Sequence, residues 1–134
     1  MSRFGIAILI IYLGFQTIPM KHAQADEYNV YQVYRAVDLG ESDRPPPKDI
    51  FVNMGSNQGL KKGTVLDVYR KISSFDNLTQ RLVGDHVIPI GKIKVIHSDE
   101  KTAIARVEKF VSVEQEPALL PQAVMIGDII RLAN

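Results

Sequence analysis

His86 and His97 are the side chains of this sequence best equipped for chemistry, and each has a carboxylate close by: Asp85 beside His86, Asp99 two residues after His97. An imidazole next to a carboxylate can move a proton or contribute to a metal site. Zinc, however, takes three or four ligands at workable spacing, and the chain supplies two isolated histidines in this region and no cysteine. The lack of Cys also removes thiolate catalysis. Ser73, Ser74 and Ser98 sit in polar stretches without the G-x-S-x-G context of an activated serine. Solvated or turn-capping roles suit all of these residues better. No catalytic, cofactor-binding or metal-binding residue is assigned, and no enzyme is expected.

The run Gly55-Ser56-Asn57-Gln58-Gly59-Leu60-Lys61-Lys62-Gly63-Thr64 has the look of a phosphate-cradling loop. A P-loop needs G-x-x-x-x-G-K-[ST] opening a helix. Here the spacing between glycines is one residue short, Leu60 follows the second glycine where Lys is required, and a β-branched run follows where a helix should start. A structural turn accounts for each residue instead. Ser56 and Asn57 can bond nearby backbone, Gly59 can supply a positive φ, Leu60 can plug inward and Gly63 can open the next strand. Lys61 and Lys62, with Lys92 and Lys94, are interspersed with Asp67, Asp85, Asp99 and Glu100, which predicts a mixed solvated surface.

The elements that would position these residues are strands. Ile50–Val52 enters the glycine turn, and Thr64–Tyr69 leaves it. Ser73–Gln80 is polar and turn-prone, with Phe75 and Leu78 as pins back to the core. Leu82-Val83 reads as a short strand before Gly84. Val87–His97 alternates with Gly91, Ile93 and Val95 inward and Lys92 and Lys94 outward. Ser98–Lys101 is a turn, and Thr102–Phe110 returns with Ala103, Ala105 and Val107 on one face. Val111–Gln122, interrupted by Pro117 and Pro121, reads as an extended excursion. Val124–Leu132 is a closing strand with a glycine break at Gly127-Asp128. Gly63–Val68 and Gly127–Leu132 share one pattern (Gly, polar, two apolar, charged, apolar), as expected where a small sheet turns its corner. Upstream, Asp26–Gly40 tilts to strand through its β-branched and aromatic residues, and Tyr28, Tyr31 and Tyr34 suit either strand packing or a contact surface. Pro45-Pro46-Pro47 predicts a stiff spacer.

Arg3 followed by the apolar run Phe4–Phe15 and then Ala23-Gln24-Ala25 predicts a signal peptide over residues 1–25, cleaved before Asp26. A retained anchor is the alternative, although the strongly apolar part is short of the roughly 20 residues a spanning helix needs. Removing 25 of the 134 residues leaves 109, and loss of Arg3 and Lys21 takes the formal charge from +1 to −1. That balance offers no electrostatic footprint for nucleic acid. The expected organisation is a signal peptide (1–25), an N-terminal segment with a Pro-rich spacer (26–48) and one all-β domain (49–134), a small barrel of five to six short strands.

Strand–G-S-x-x-G-L-x-x-G–strand over Phe51–Tyr69, then Pro89-Ile90-Gly91-Lys92-Ile93-Lys94-Val95, then Gly127-Asp128-Ile129-Ile130 resembles the C-terminal domain of the flagellar assembly protein T family. The resemblance covers about Asp49–Leu132. It implies a periplasmic, SH3-like β-barrel with a structural rather than catalytic part around the flagellar basal body. A similar glycine turn occurs in the β-domains of rod-shape protein C and of envelope secretion components. The resulting expectation is a non-catalytic module, periplasmic or secreted. It would bind protein partners of the cell envelope through a sheet edge or the Tyr28–Tyr34 segment, free to oligomerise, without cofactor, nucleic acid or stable membrane insertion. Scaffolding of a rod-shape or secretion machine is the alternative, and a small periplasmic ligand-binding protein or enzyme is the more distant one.

Overall fold

A computed structural model describes residues 27–40, 43–112, 114–115, 117 and 123–134. The segment expected to be a signal peptide lies outside the described residues, as do Glu41 and Ser42 of the loop before the spacer and most of 113–122. The described chain is all-β. Its strands are β1 (Tyr28–Arg35), β2 (Lys48–Val52), β3 (Val65–Asp76), β4 (Arg81–Ser98), β5 (Ala103–Phe110) and β6 (Ile129–Leu132). They close an antiparallel barrel in the order β1-β2-β5-β4-β3-β6, with β6 pairing back to β1. The barrel therefore takes one stave from the 26–48 segment.

Closure leaves one continuous interior. Val30, Ile50, Val52, Leu66, Val68, Ile93, Val95, Ala103, Ala105 and Ile130 are all buried in it, mostly at alternate positions along their strands. Leu60 plugs one end, as its position in the glycine turn predicts, and is 2% exposed. A short 3₁₀ turn, Ser56–Gln58, delivers it there. The echo between Gly63 and Gly127 also holds. Both take left-handed backbone, with φ of 94° and 93°, and the strands they precede lie side by side, Leu66 opposite Leu132 and Val68 opposite Ile130.

Four features differ from the sequence reading. First, β3 and β4 are long, at 12 and 18 residues, so the strands are not all short. β3 runs straight through Ser73–Asp76, and the turn shrinks to Asn77–Gln80. Second, Phe75 and Leu78 do not pin the loop to the core; they are 49% and 95% exposed. Third, Leu82-Val83 belongs to β4 instead of forming a strand of its own. Fourth, the closing strand is only Ile129–Leu132, because Met125–Asp128 forms a turn with the Asp128 amide donating to the Met125 carbonyl at 3.1 Å.

The hairpin of β4 and β5 is as expected, with Gly91, Ile93 and Val95 facing inward beside Ala103 and Ala105. Its register slips twice, at Ile96 on β4 and at Glu108 on β5. A bulge bends its strand and raises the local twist, which a six-stranded sheet needs to close.

Candidate functional site

Six strands close the barrel, but two of them outrun it. β3 pairs with β6 only over Leu66–Tyr69, and β4 pairs with β5 only from Gly91 onward. Beyond those points Arg70–Asp76 and Arg81–Ile88 pair only with each other and project as a two-stranded arm. An isolated two-stranded ribbon is marginal in water, so the side chains that hold this one together are informative.

Cross-strand partners share a face. The outer face, continuous with the outside of the barrel, carries Tyr69 opposite Pro89, Lys71 opposite Val87, Ser73 opposite Asp85 and Phe75 opposite Leu82. The other face carries Ile72 with His86 and Ser74 with Gly84. On the outer face the Ser73 hydroxyl donates to Asp85 at 2.6 Å, and the Lys71 ammonium lies 3.2 Å from the same carboxylate. Val87, Phe75 and Leu82 flank this polar centre, all exposed, with Leu82 at 72%. The tip is built tightly. Asp76 accepts from the Leu78 amide at 2.8 Å and from the Thr79 hydroxyl at 2.9 Å, and the Gln80 amide donates to the Asp76 carbonyl at 2.8 Å. Gln80 takes a left-handed φ of 57°, uncommon for a residue with a side chain. The turn so held points Leu78 into solvent.

These contacts set a pH response. The Leu78 amide, then the Thr79 hydroxyl, hold the Asp76 carboxyl below the ordinary aspartate value. Asp85 is likewise lowered, first by the Ser73 hydroxyl and then by Lys71. A depressed folded-state pKa contributes order that is full above the ordinary value and is lost as pH falls through the folded one. The arm should therefore loosen in acid, below about pH 4, while the apolar interior of the barrel persists. Nuclear magnetic resonance titration of the Leu78 and Thr79 amides should give midpoints below that of a free aspartate; midpoints at or above it would refute the capping account.

At the base of the arm's outer face lies a groove of about 430 Å³, lined by Tyr69, Pro89, Lys92, Lys109, Phe110 and Val111 among others. Tyr69 is overlain by the Arg131 guanidinium, 5.0 Å from the ring centre. Lys92 donates to Asp67 at 2.6 Å. No family model matches the chain, and no curated protein matches it.

A second groove, about 420 Å³, lies under the spacer, between Pro45-Pro46-Pro47 and Val33, Ile50, Arg106 and Val107. On the outside of the barrel Tyr31, pushed out by a bulge in β1, meets the edge of Phe51 with ring centres 6.2 Å apart, and Tyr34 is exposed beside them. Tyr28 instead packs against the core. The three tyrosines thus divide between strand packing and an exposed aromatic face.

The fold brings Ser73 to Asp85 and His97 to Asp99 but does not bring the two histidines together. His86 sits mid-arm on β4, not near a turn, while His97 sits at the far end of the same strand, its Nε2 3.1 Å from Asp99. Eleven residues of strand, roughly 35 Å, separate them. Among the described residues no group of three or more His, Asp or Glu could hold a metal ion, and no helix is long and apolar enough to cross a membrane. Lys61 and Lys62 are exposed on the glycine turn, apart from the Lys92–Asp67 pair.

Sequence reasoning missed a buried ion pair. Asp128 is 3% exposed and accepts from Arg70 Nε at 2.9 Å, from Arg70 Nη2 at 2.8 Å and from the Met125 amide at 2.8 Å. Arg70 Nη2 also donates to the Ala123 carbonyl at 2.6 Å. The pair ties the root of the arm to the turn before β6. A signal for it existed: Arg70 follows Leu66 and Val68 at the inward parity of β3, where a charge needs a buried partner.

Proposed function

We propose that this chain is a non-catalytic, exported interaction module of the bacterial cell envelope. In this reading its barrel is of the SH3-like type and acts as a scaffold, and the arm is the contact element. The flagellar basal body is the preferred machine, through the resemblance carried by Phe51–Tyr69, Pro89–Val95 and Gly127–Ile130.

The supporting observation is the arm. It spends strand length on a ribbon that buries little, and it exposes Phe75, Leu78, Leu82 and Val87. Several exposed apolar side chains gathered on one projecting element, here on either side of a polar centre, suit a protein contact surface. The separation of His86 and His97 along β4 is consistent with a scaffold. So is the part the glycine turn plays, which is to seat Leu60 and dock on the β4–β5 turn, Ser56 N–H donating to Asp99 at 2.8 Å.

The test is capture of the tagged chain from the envelope fraction after cross-linking. Basal-body components, or those of a rod-shape or secretion machine, should co-purify with the wild type, and Phe75→Asp with Leu82→Asp should lose them while the barrel stays folded. A chain recovered freely soluble and without envelope partners would overturn the proposal.

A further inference from the structure

The two edges of the arm are unlike. The β4 edge is guarded: Pro89 lacks a donor, the register slips at Ile90 and again at Val83, and the Val111 amide already occupies the Ile90 carbonyl at 3.0 Å. The β3 edge has none of these devices. Both slips fall on β4, so β3 alternates without a break from Val65 to Asp76. Its parity is fixed at the barrel end, where the Ala133 amide donates to the Val65 carbonyl at 3.3 Å. In an antiparallel ladder each residue turns its N–H and C=O to one side, and successive residues alternate. Val65, Asp67 and Tyr69 therefore face β6, and the β6 ladder stops at the Tyr69/Ile129 pair. On the same parity Lys71, Ser73 and Phe75 offer their N–H and C=O groups to a side where no described strand lies. Ile72 and Ser74 turn theirs to β4.

We infer, on the reading that the arm is the contact element, that its β3 edge takes up an extended segment of a partner protein. The segment adds a strand antiparallel to β3 in line with β6, its backbone pairing with Lys71, Ser73 and Phe75. The side chains along the edge describe it. Paired residues share a face, so the residues opposite Ile72 and Phe75 should be apolar. The Lys71 side chain is 53% exposed, which disfavours a basic residue opposite it and suits an acidic one. From its N-terminal end the segment thus runs apolar, any, polar, apolar, acidic. A second copy of β3 does not fit that description. Odd positions can pair only with odd ones across this edge, so a two-fold axis must fall on a residue. On Ser73 it sets Phe75 against Lys71 and Ile72 against Ser74. On Ser74 it sets Phe75 against Ser73 and Ile72 against Asp76. On Phe75 it leaves Ile72 beyond the end of the other β3, and on Ile72 it sets Phe75 against Tyr69, whose edge Ile129 already fills. No open register gives both Ile72 and Phe75 an apolar partner, so the occupant has a different sequence.

The probe is the capped peptide Val-Thr-Thr-Ile-Glu, added to the chain purified after expression from its full sequence. Amide exchange followed by nuclear magnetic resonance should be fast at Lys71, Ser73 and Phe75 of the free chain and slow at Ile72 and Ser74. Peptide at about ten times its Kd should slow the first three about tenfold. Methylating the nitrogen of its central Thr, which faces β3, should abolish the effect; methylating that of its Ile, which faces away, should spare it. Ser73→Pro removes an outward donor but no bond to β4, and should abolish binding. Ser73→Ala, which also lacks the hydroxyl bonded to Asp85, should bind like the wild type. Protection of Lys71 and Ser73 in the free chain at every dilution would mean that the chain covers its own edge, and protection lost on dilution that a second copy does. Either result overturns the inference, as does a peptide that protects nothing or acts equally on Ser73→Pro. Envelope partners captured equally by Ser73→Pro and wild type would sink the edge and leave the scaffold proposal standing. A chain that binds the peptide through this edge but captures no envelope partner would do the reverse.

Discussion

Asp128→Ala should cost this barrel about 3–5 kcal/mol, the usual range when one partner of a buried ion pair is removed. The geometry supports the upper part of that range. Asp128 is 3% exposed and the Arg70 side chain 12%. Truncation therefore leaves a largely buried guanidinium whose Nε loses its carboxylate acceptor and whose Nη2 falls back on the Ala123 carbonyl. It also strips the Met125 amide of the carboxylate it donates to. The loss extends beyond the pair, because the turn that launches β6 is held to β3 through it, and β6 is the stave between β3 and β1. Domains of this size have only about 5–15 kcal/mol in hand, so the variant should melt at least 15 °C lower or fail to accumulate. Urea unfolding of Asp128→Ala, Arg70→Ala and the double variant forms the cycle that checks it. The double variant should be less destabilised than the sum of the singles, since removing both charges leaves neither one orphaned. Strict additivity, or a loss in Asp128→Ala below about 1 kcal/mol, would mean that the pair behaves like an exposed one.

That pair shows where a single sequence stops being legible. Arg70 and Asp128 lie 58 residues apart, and nothing local couples them. The barrel interior was legible because a sheet with one wet face prints an alternation, as in Ala103, Ala105 and Val107 against Arg106 and Glu108. The glycine turn was legible for the same kind of reason: Leu60 is the lone apolar residue in a polar run, and Gly63 and Gly127 occupy matching places. The arm was not. A ribbon wet on both faces has no buried side to impose a period of two, so Ser73-Ser74-Phe75-Asp76 reads as loop although it is strand. Phe75 and Leu78 mislead by the same logic. An apolar side chain in a polar stretch is ordinarily an anchor to the core, and only the extension of β3 and β4 past their neighbours turns these two outward. Bulges at Tyr31, Ile90, Ile96 and Glu108 each shift the parity by one, which no pattern count anticipates.

Gly55→Ala should be one of the two most damaging glycine-to-alanine changes among the described residues, beside Gly91→Ala, whose Cβ would sit 2.3 Å from the Lys109 carbonyl oxygen. A Cβ at this position would sit 2.4 Å from the Asp99 carbonyl oxygen, 2.7 Å from that of Glu100 and 2.7 Å from the Thr102 nitrogen. All three are backbone atoms of the β4–β5 turn, so no side chain can swing aside. Either that turn moves or the glycine turn lifts away from it. Lifting breaks the bonds from Ser56 N–H to Asp99 and from Asn57 N–H to Glu100, at 2.8 and 3.1 Å, and unseats Leu60. Overpacking of about 1–3 kcal/mol plus about 1 kcal/mol for each of the two hydrogen bonds places the cost at roughly 3–5 kcal/mol. Gly59 is the natural control because its demand is of the opposite kind. Its φ is +87°, yet a Cβ there meets open space. Gly59→Ala pays only left-handed strain, roughly 1–2 kcal/mol, and Gly59→Asn, which tolerates that conformation, should cost less still. Thermal melts of the three variants should rank them Gly55→Ala, Gly59→Ala, Gly59→Asn, from largest loss to smallest. Inorganic phosphate or a nucleotide should shift none of these midpoints, because a turn whose amides already bond the neighbouring hairpin has few left for an anion. A phosphate-dependent rise in the wild-type midpoint that Gly55→Ala abolished would restore the ligand reading of the turn and displace the architectural one.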